Sequence, residues 1–310
     1  STLFPYTTLF RSCDGLGDWP FHPVSLGGKT YRAQEVLGPQ SPLADATVTL
    51  LPGMSTYVGA DITAGIWQCG LASSDDVSLF VDLGTNGEMV LGNKDQRFIA
   101  SAPAGPALEG GKLTWGTGSV PGAICGVRIE RGRAKVRTID HAVPVGICGT
   151  GILEAMAGLV REGLVDETGK LVEPYFHKGF PLASTLDYQR ITLSQQDIRE
   201  IQMAKSAIRA GIESLIERSG ISRQRVHQVF LAGGCGYYLD PQKAAVIGLL
   251  PADLAERTTA VGNTSLKGAI GLLTGAVTLE ELQAIAAGVE EIVLGNDEAF
   301  QRLYIDYLNF

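Results

Sequence analysis

The chain has 310 residues, 45% of them apolar and 19% charged, which is enough hydrophobic material for one large or two ordinary globular domains. Its 33 acidic and 25 basic side chains leave a formal charge of −8 with no basic block, so the electrostatic footprint of a nucleic-acid binder is missing and nucleic acid is excluded as a partner. The 39 glycines follow no three-residue period, which excludes collagen and indicates many tight turns.

The five cysteines, Cys13, Cys69, Cys125, Cys148 and Cys235, contain no CxxC or other metal-ligand spacing and fit reduced thiols in a cytosol. No apolar run reaches membrane-spanning length without a charge or turn signal, and the N-terminus has no signal-peptide pattern, so a soluble cytoplasmic protein is expected. Residues 1–12, STLFPYTTLFRS, resemble translated sequencing-adapter DNA and are set aside as an artefact or a disordered end.

In chain order, a strand is expected over 47–51 and a helix around 62–67. The text SLFVDLGTNGEMVLG (78–92) reads as strand, glycine turn and strand, a β-hairpin; RFIASA (97–102), AICGVRIE (123–130) and KVRTID (135–140) continue as strands of a mixed sheet. After Gly149 the period changes to helical, with Ile152, Met156, Leu159 and Val160 on one face and Gly163 as the stop. A strand at 190–193 leads into the longest helix, whose start Ser194-x-x-Asp197 has a capping-box spacing and whose end is Gly220. VHQVFLAGG (226–234) is a buried strand entering a glycine turn, Asp240-Pro241 opens a helix, and 262–273 and 278–288 supply two more. Strands alternating with helices predict an α/β fold.

Asp82 ends an apolar strand and precedes Leu83, Gly84, Thr85, Asn86, Gly87 and Glu88. A carboxylate there can hold Mg²⁺ through water while the turn amides and the Thr85 hydroxyl cradle a phosphate; a hairpin using Asn-Gly for its turn is the plainer alternative. Two further glycine loops, 116–119 and Gly149-Thr150-Gly151, are candidate anion sites or simple helix caps. In LAGGCG (231–236), Gly233, Gly234 and Gly236 would let a flat adenine or ribose lie against backbone; the spacing is not that of a Rossmann fingerprint. Lys205 falls on the apolar stripe of the long helix, where it either snorkels or reaches a nucleotide. His141 and His227 have no partner at triad or ligand spacing and read as structural, and Cys148 and Cys235 carry no catalytic role.

Nine ordered motifs, PxxxxYVGAD (52–61), DLGTNGE (82–88), AGPALEGG (104–111), GSVPGAI (118–124), PVGICGTGI (144–152), DIREIQMAKSAIRAGI (197–212), LAGGCGYYLDP (231–241), IGLLP (247–251) and VGNTSLKGA (261–269), together resemble the C-terminal part of the ATP-dependent reductive activators of corrinoid proteins. That resemblance implies membership of the actin, sugar-kinase and heat-shock-chaperone ATPase superfamily (ASKHA), with two RNase H-like lobes clasping ATP. It also implies an activity, the ATP-coupled return of Co(II) corrinoid to Co(I), with a corrinoid iron–sulfur protein or corrinoid methyltransferase subunit as partner and a homodimer left open. By motif, Asp82 is implied as the catalytic organiser of Mg²⁺ or water, Gly84, Thr85, Asn86 and Gly87 as the second phosphate loop, and Gly233, Gly234 and Gly236 as the adenosine motif. Lys205 is implied to flank adenine, and Gly149, Thr150 and Gly151 to lie beside the phosphates.

The sequence departs from the family pattern in having no first phosphate loop of the DxGTT type, which belongs in the opposite lobe, and no four-cysteine [2Fe–2S] motif. A truncated chain is therefore expected: 13–77 as the end of the first lobe, 78–277 as a complete second lobe, and 278–310 packing back on the first. Two alternatives stay open, a small-molecule kinase of the same superfamily and a noncatalytic nucleotide-responsive binding module.

Overall fold

A computed structural model describes residues 25–234 and 239–310. It begins with a small hairpin, β1 (Lys29–Arg32) paired to β2 (Thr47–Leu50) around the short helix α1 (Ala33–Leu37). Helix α2 (Ala60–Gln68) follows, and then the hairpin expected over 78–92 forms as β3 (Val77–Leu83) and β4 (Gly87–Gly92), extended by β5 (Arg97–Ala102). The next hairpin is β6 (Ala123–Glu130) with β7 (Arg133–Thr138), and β8 (Gly146–Ile147) leads into α3 (Gly149–Arg161). After α4 (Tyr175–Lys178), the strands β9 (Phe180–Ser184) and β10 (Arg190–Leu193) pair with each other.

The long helix α5 (Gln195–Ser219) starts and stops where its caps dictate. The Ser194 hydroxyl accepts from the Asp197 amide and the Asp197 carboxylate accepts from the Ser194 amide, while Gly220 takes the left-handed turn at φ 66° that ends it. The chain then runs through β11 (Val226–Ala232), α6 (Pro241–Val246), β12 (Thr258–Gly262), α7 (Thr264–Leu273), α8 (Leu279–Ala287), β13 (Glu290–Glu291) and α9 (Glu298–Asp306).

The principal sheet has the order β12-β11-β3-β4-β5-β13, parallel from β12 to β3 and antiparallel through β4 and β5. Both faces are covered, which is why β3 reads as a continuous apolar run. Leu79, Val81 and Leu83 point to the core beneath α5 and α3, whereas Phe80, Val90 and Ile99 point to a second core shared with Ile62 and Ile66 of α2. Glycine permits two of these contacts: a methyl at Gly87 would stand 3.0 Å from Ile208 Cγ1 of α5, and one at Gly65 would collide with the Phe80 ring.

The C-terminal segment divides its packing. Helix α8 lies against α2. In contrast, β13 extends the principal sheet at β5 and α9 lies along α5. Ser206 Oγ donates to the Tyr304 carbonyl and Gln202 Nε2 to the Leu308 carbonyl at 2.9 Å, so polar contacts as well as apolar ones fix α9. Among the described residues, no helix is long and apolar enough to cross a membrane.

Candidate functional site

The register of the principal sheet places Asp82 at the carboxyl end of β3, opposite Ala232 of β11 on one side and Glu88 of β4 on the other. This is where ligands bind in open α/β sheets, because the strand ends leave backbone groups free above the sheet edge. The loop after β3 is tight, with the Gly84 amide donating to the Asn86 carbonyl at 3.1 Å. Thr85 and Asn86 are exposed, and Thr85 Oγ1 donates to Glu109 Oε2 at 2.6 Å. Gly87, grouped with this loop by sequence, is buried, and its lack of a side chain serves the approach of α5.

Immediately after Ala232, Gly233 turns back over Asp82 at φ +102°. A methyl on it would stand 2.8 Å from Asp82 Oδ1 and 2.9 Å from the Leu83 amide nitrogen, so only glycine brings the two loops together without displacement. Among the described residues, nothing lies within 4 Å of where a Gly234 Cβ would stand. Gly236 lies outside the described residues, as does Cys235.

Gly149, Thr150 and Gly151 form the first turn of α3, all three buried. A methyl on Gly151 would overlap the Ile124 carbonyl oxygen, so glycine lets the helix start press against β6. The second glycine loop docks beside it through the Thr117 amide, which donates to the Ile147 carbonyl at 2.9 Å. As a result, Ser119, Thr150 and Gly234 line a single cavity of about 450 Å³, completed by Cys125 and Cys148 and by Arg137, Thr138, Ile139, Asp140 and His141. A larger, charged groove of about 650 Å³ between the β6–β7 hairpin and α3 holds none of the predicted site residues.

Sequence reading missed the cavity's far wall. Arg137 lies near the end of β7, in a stretch read only as a strand, and His141 was read as structural; both line the cavity. Asp140 and His141 have φ of 56° and 54°, a left-handed pair that non-glycine residues rarely adopt and that turns the chain at the cavity rim. The pattern of side chains along the chain carries no signal of such a turn.

The electrostatics are those of a site short of positive charge. Burial, with the charges of Asp61 and Glu109 adding to it, pushes the Asp82 carboxyl up to about 6. Burial and the charges of Asp61 and Asp82 push Glu88 up to about 7, against a lowering hydrogen bond from the Asn86 side chain. Asp61 and Glu109 lay in motifs that the sequence singled out, but their convergence on Asp82 is a tertiary fact. Among the described residues, no group of three or more His, Cys, Asp or Glu is arranged to hold a metal ion directly.

Lys205 does not line this cavity. Its ammonium donates to the carbonyls of Tyr307, at 2.5 Å, and Asn309, and lies 5.0 Å from the centre of the Phe310 ring. Burial, with the Arg209 charge beside it, lowers it to about 8.

Comparison with known proteins gives a consistent picture. Residues 7–74 match the model described as the RACo middle region. A corrinoid activation enzyme, RamQ, of Eubacterium limosum is 34% identical over 84% of this chain and 46% of its own length. A reductase of Methanosarcina barkeri, described as acting on a Co(II) methylated amine-specific corrinoid protein, is 28% identical over 93% of this chain and 56% of its own. The solved structure of a reductive activator for a corrinoid, iron–sulfur protein superimposes with a TM-score of 0.91 at 32% identity, covering 97% of this chain and 50% of that one. The chain thus spans about half the length of the relatives it matches. Residues 76–310 match the family model described as the C-terminal domain of RACo, the ASKHA domain, and the chain belongs to that family.

Proposed function

We propose that this chain is the ATP-binding and ATPase module of a corrinoid-protein activator, coupling nucleotide to the reduction of Co(II) corrinoid to Co(I). One observation carries the nucleotide part: three glycine turns far apart in sequence, represented by Ser119, Thr150 and Gly234, line one cavity, and Gly233 joins that cavity to Asp82. The names of the relatives support the corrinoid part, with a corrinoid protein or corrinoid methyltransferase subunit as the partner. In this reading, 13–77 closes a first lobe, 78–277 is the second, and a [2Fe–2S] domain belongs to sequence outside this chain.

The residues fit Mg²⁺ and ATP. No cation of the described chain contributes at Asp82 or Glu88, so two half-buried carboxyls face the loop without countercharge, as a site awaiting a divalent ion would. Asp82 would hold Mg²⁺ through water, and the ion would supply charge neutralisation at the phosphates. The Gly84, Thr85 and Asn86 backbone and the amino end of α3, with Gly149 to Gly151, would orient the phosphates through N–H groups. Gly233, Gly234 and Gly236 would leave room for adenosine, with Lys205 on the flanking helix. Arg137 would close the cavity opposite α3, adding positive charge to the wall of the site.

The reading is tested by titrating a fluorescent ATP analogue and measuring phosphate release with and without Asp82→Asn. The full-length form is then mixed with reductant and a Co(II) corrinoid protein while Co(I) absorption is followed. ATP-dependent Co(I) formation is the expected result, and its absence overturns the assignment. Phosphate transfer to an added small molecule would identify a kinase instead, and tight binding with no phosphate release would identify a noncatalytic module.

A further inference from the structure

The cavity contains two thiols that the nucleotide reading does not use. Strands β6 and β8 run parallel with Ala123 opposite Gly146 and Ile124 opposite Ile147, and the Cys148 amide continues the ladder by donating to the Ile124 carbonyl at 3.1 Å. Cys125 and Cys148 are therefore the next neighbours along the same two strands. Side chains alternate across a sheet, and the consequence is visible here: Ile124 and Ile147 enter the main core, whereas Cys125 and Cys148 pack together on the opposite face with Ala123 and Ile139.

Cys125 also sits in a bulge, because the β6–β7 register slips between Ile124 and Gly126, and bulges re-aim the extra residue's side chain. Each thiol donates only a weak bond to a backbone carbonyl, Cys125 Sγ to Arg137 at 3.5 Å and Cys148 Sγ to Ile124 at 3.3 Å. Neighbouring strands lie about 4.8 Å apart, inside the roughly 4.4–6.8 Å Cα span that a disulfide bridges. Both sulfurs belong to residues lining the cavity of about 450 Å³ that also exposes Thr150 and Gly234.

We infer that Cys125 and Cys148 form a thiol pair gated by nucleotide occupancy: with the cavity free, a small-molecule disulfide converts the pair to a disulfide, and a bound nucleotide blocks that reaction. The inference rests on the nucleotide reading of this cavity. The chemistry balances with glutathione disulfide as the oxidant. One cysteine thiolate attacks it, forming a mixed disulfide and releasing one glutathione. The second cysteine thiolate attacks the protein sulfur of that mixed disulfide, forming the Cys125–Cys148 bond and releasing the second glutathione. Two electrons pass from the cysteine pair to the oxidant, and the two thiol protons end on the two glutathiones.

The chain is treated with glutathione disulfide, alone or with Mg–ATP, quenched with N-ethylmaleimide and mapped by mass spectrometry. Binding of a fluorescent ATP analogue is measured before and after. Cys69, whose thiol burial pushes up to about 12, is the internal control for unselective oxidation, and Cys13→Ser with Cys235→Ser removes the other two thiols of the chain. The expected result is a linked Cys125–Cys148 peptide, formed about tenfold more slowly when the nucleotide is near ten times its Kd. Linkage should weaken analogue binding at least about tenfold, as a bridged rim narrows the cavity. Cys125→Ser should show no intramolecular link, the reaction stopping at the mixed disulfide of Cys148 with glutathione.

Absence of the linked peptide, or linkage at the same rate with nucleotide bound, overturns the inference. If the reduced chain binds no nucleotide before any oxidant is added, the nucleotide reading itself fails and takes the gate with it. That failure is distinct from a chain that binds nucleotide but leaves the pair unprotected.

Discussion

Asp82 and Glu88 sit directly opposite each other across the β3–β4 pair, so the strand register sets two half-buried carboxyls side by side at the mouth of the loop between those strands. Like charges in that position oppose folding, and among the described residues no lysine or arginine contributes there. The sheet therefore holds a local instability that protonation or a bound cation relieves.

The sign of the resulting pH dependence follows from the direction of both shifts. Asp82 is raised from 3.8 to about 6 and Glu88 from 4.5 to about 7, so between these limits the folded chain holds protons that the unfolded chain has released. Their contribution to stability is present below the unfolded values and is lost as pH rises through the folded ones. Urea unfolding should show Asp82→Asn stabilising the chain by about 1–2 kcal/mol at about pH 8 and by almost nothing at about pH 4. Equal effects at both pH values would refute the assignment of the strain to these carboxyls. Phosphate release by the same variant should fall at least about 100-fold.

Gly233→Ala and Gly234→Ala should behave differently although they are adjacent. At Gly233 the added methyl meets Asp82 and Leu83 at positive φ, so a loss of about 1–3 kcal/mol in stability is expected together with weakened nucleotide binding. At Gly234 no described residue lies within 4 Å of the methyl, so stability should stay within about 0.5 kcal/mol of wild type. Because Gly234 lines the cavity, its methyl enters ligand space and should still weaken an ATP analogue. Thermal melts and analogue titrations on the two variants separate these effects.

Asp197→Ala tests the hub that starts the long helix. Asp197 is buried and accepts from the Thr114 amide at 2.8 Å, the Thr114 hydroxyl at 3.1 Å, and the Ser194 amide and hydroxyl at 2.8 and 2.7 Å. Removing it strands several donors and one cap, which should cost about 2–4 kcal/mol in urea unfolding, with or without nucleotide analogue. A loss under about 1 kcal/mol would mean that water replaces the carboxylate.

Lys205→Met separates anchoring from adenine contact. The substitution keeps the buried stem and removes the two bonds to the C-terminal carbonyls, so amide exchange in α9 should accelerate about tenfold or more. Unchanged exchange would show that the Ser206 and Gln202 contacts suffice. Analogue affinity measured on the same sample should fall if the lysine also flanks the adenine.

Elements whose causes are short-range are legible along the chain. The β3–β4 hairpin, the strands over 97–102, 123–130 and 190–193, and both ends of α5 are local consequences of alternation, turn residues and caps, and each stands within a residue or two of its expected place. Ordered motifs likewise identified the family.

The tertiary structure alone decided what meets at the site. Ser119, Thr150 and Gly234 converge because β8 docks on β6 and β11 lies beside β3, and no pattern along the chain encodes those pairings. For the same reason Asp61 and Glu109 act on Asp82 from separate segments, and Arg137 and His141 form a wall that sequence spacing does not announce. Lys205 reads along the sequence as either snorkelling or reaching a nucleotide, and it is the fold that brings the Tyr307 and Asn309 carbonyls to it. Burial and long-range pairing set these neighbours, and with them the charges that give each side chain its chemistry.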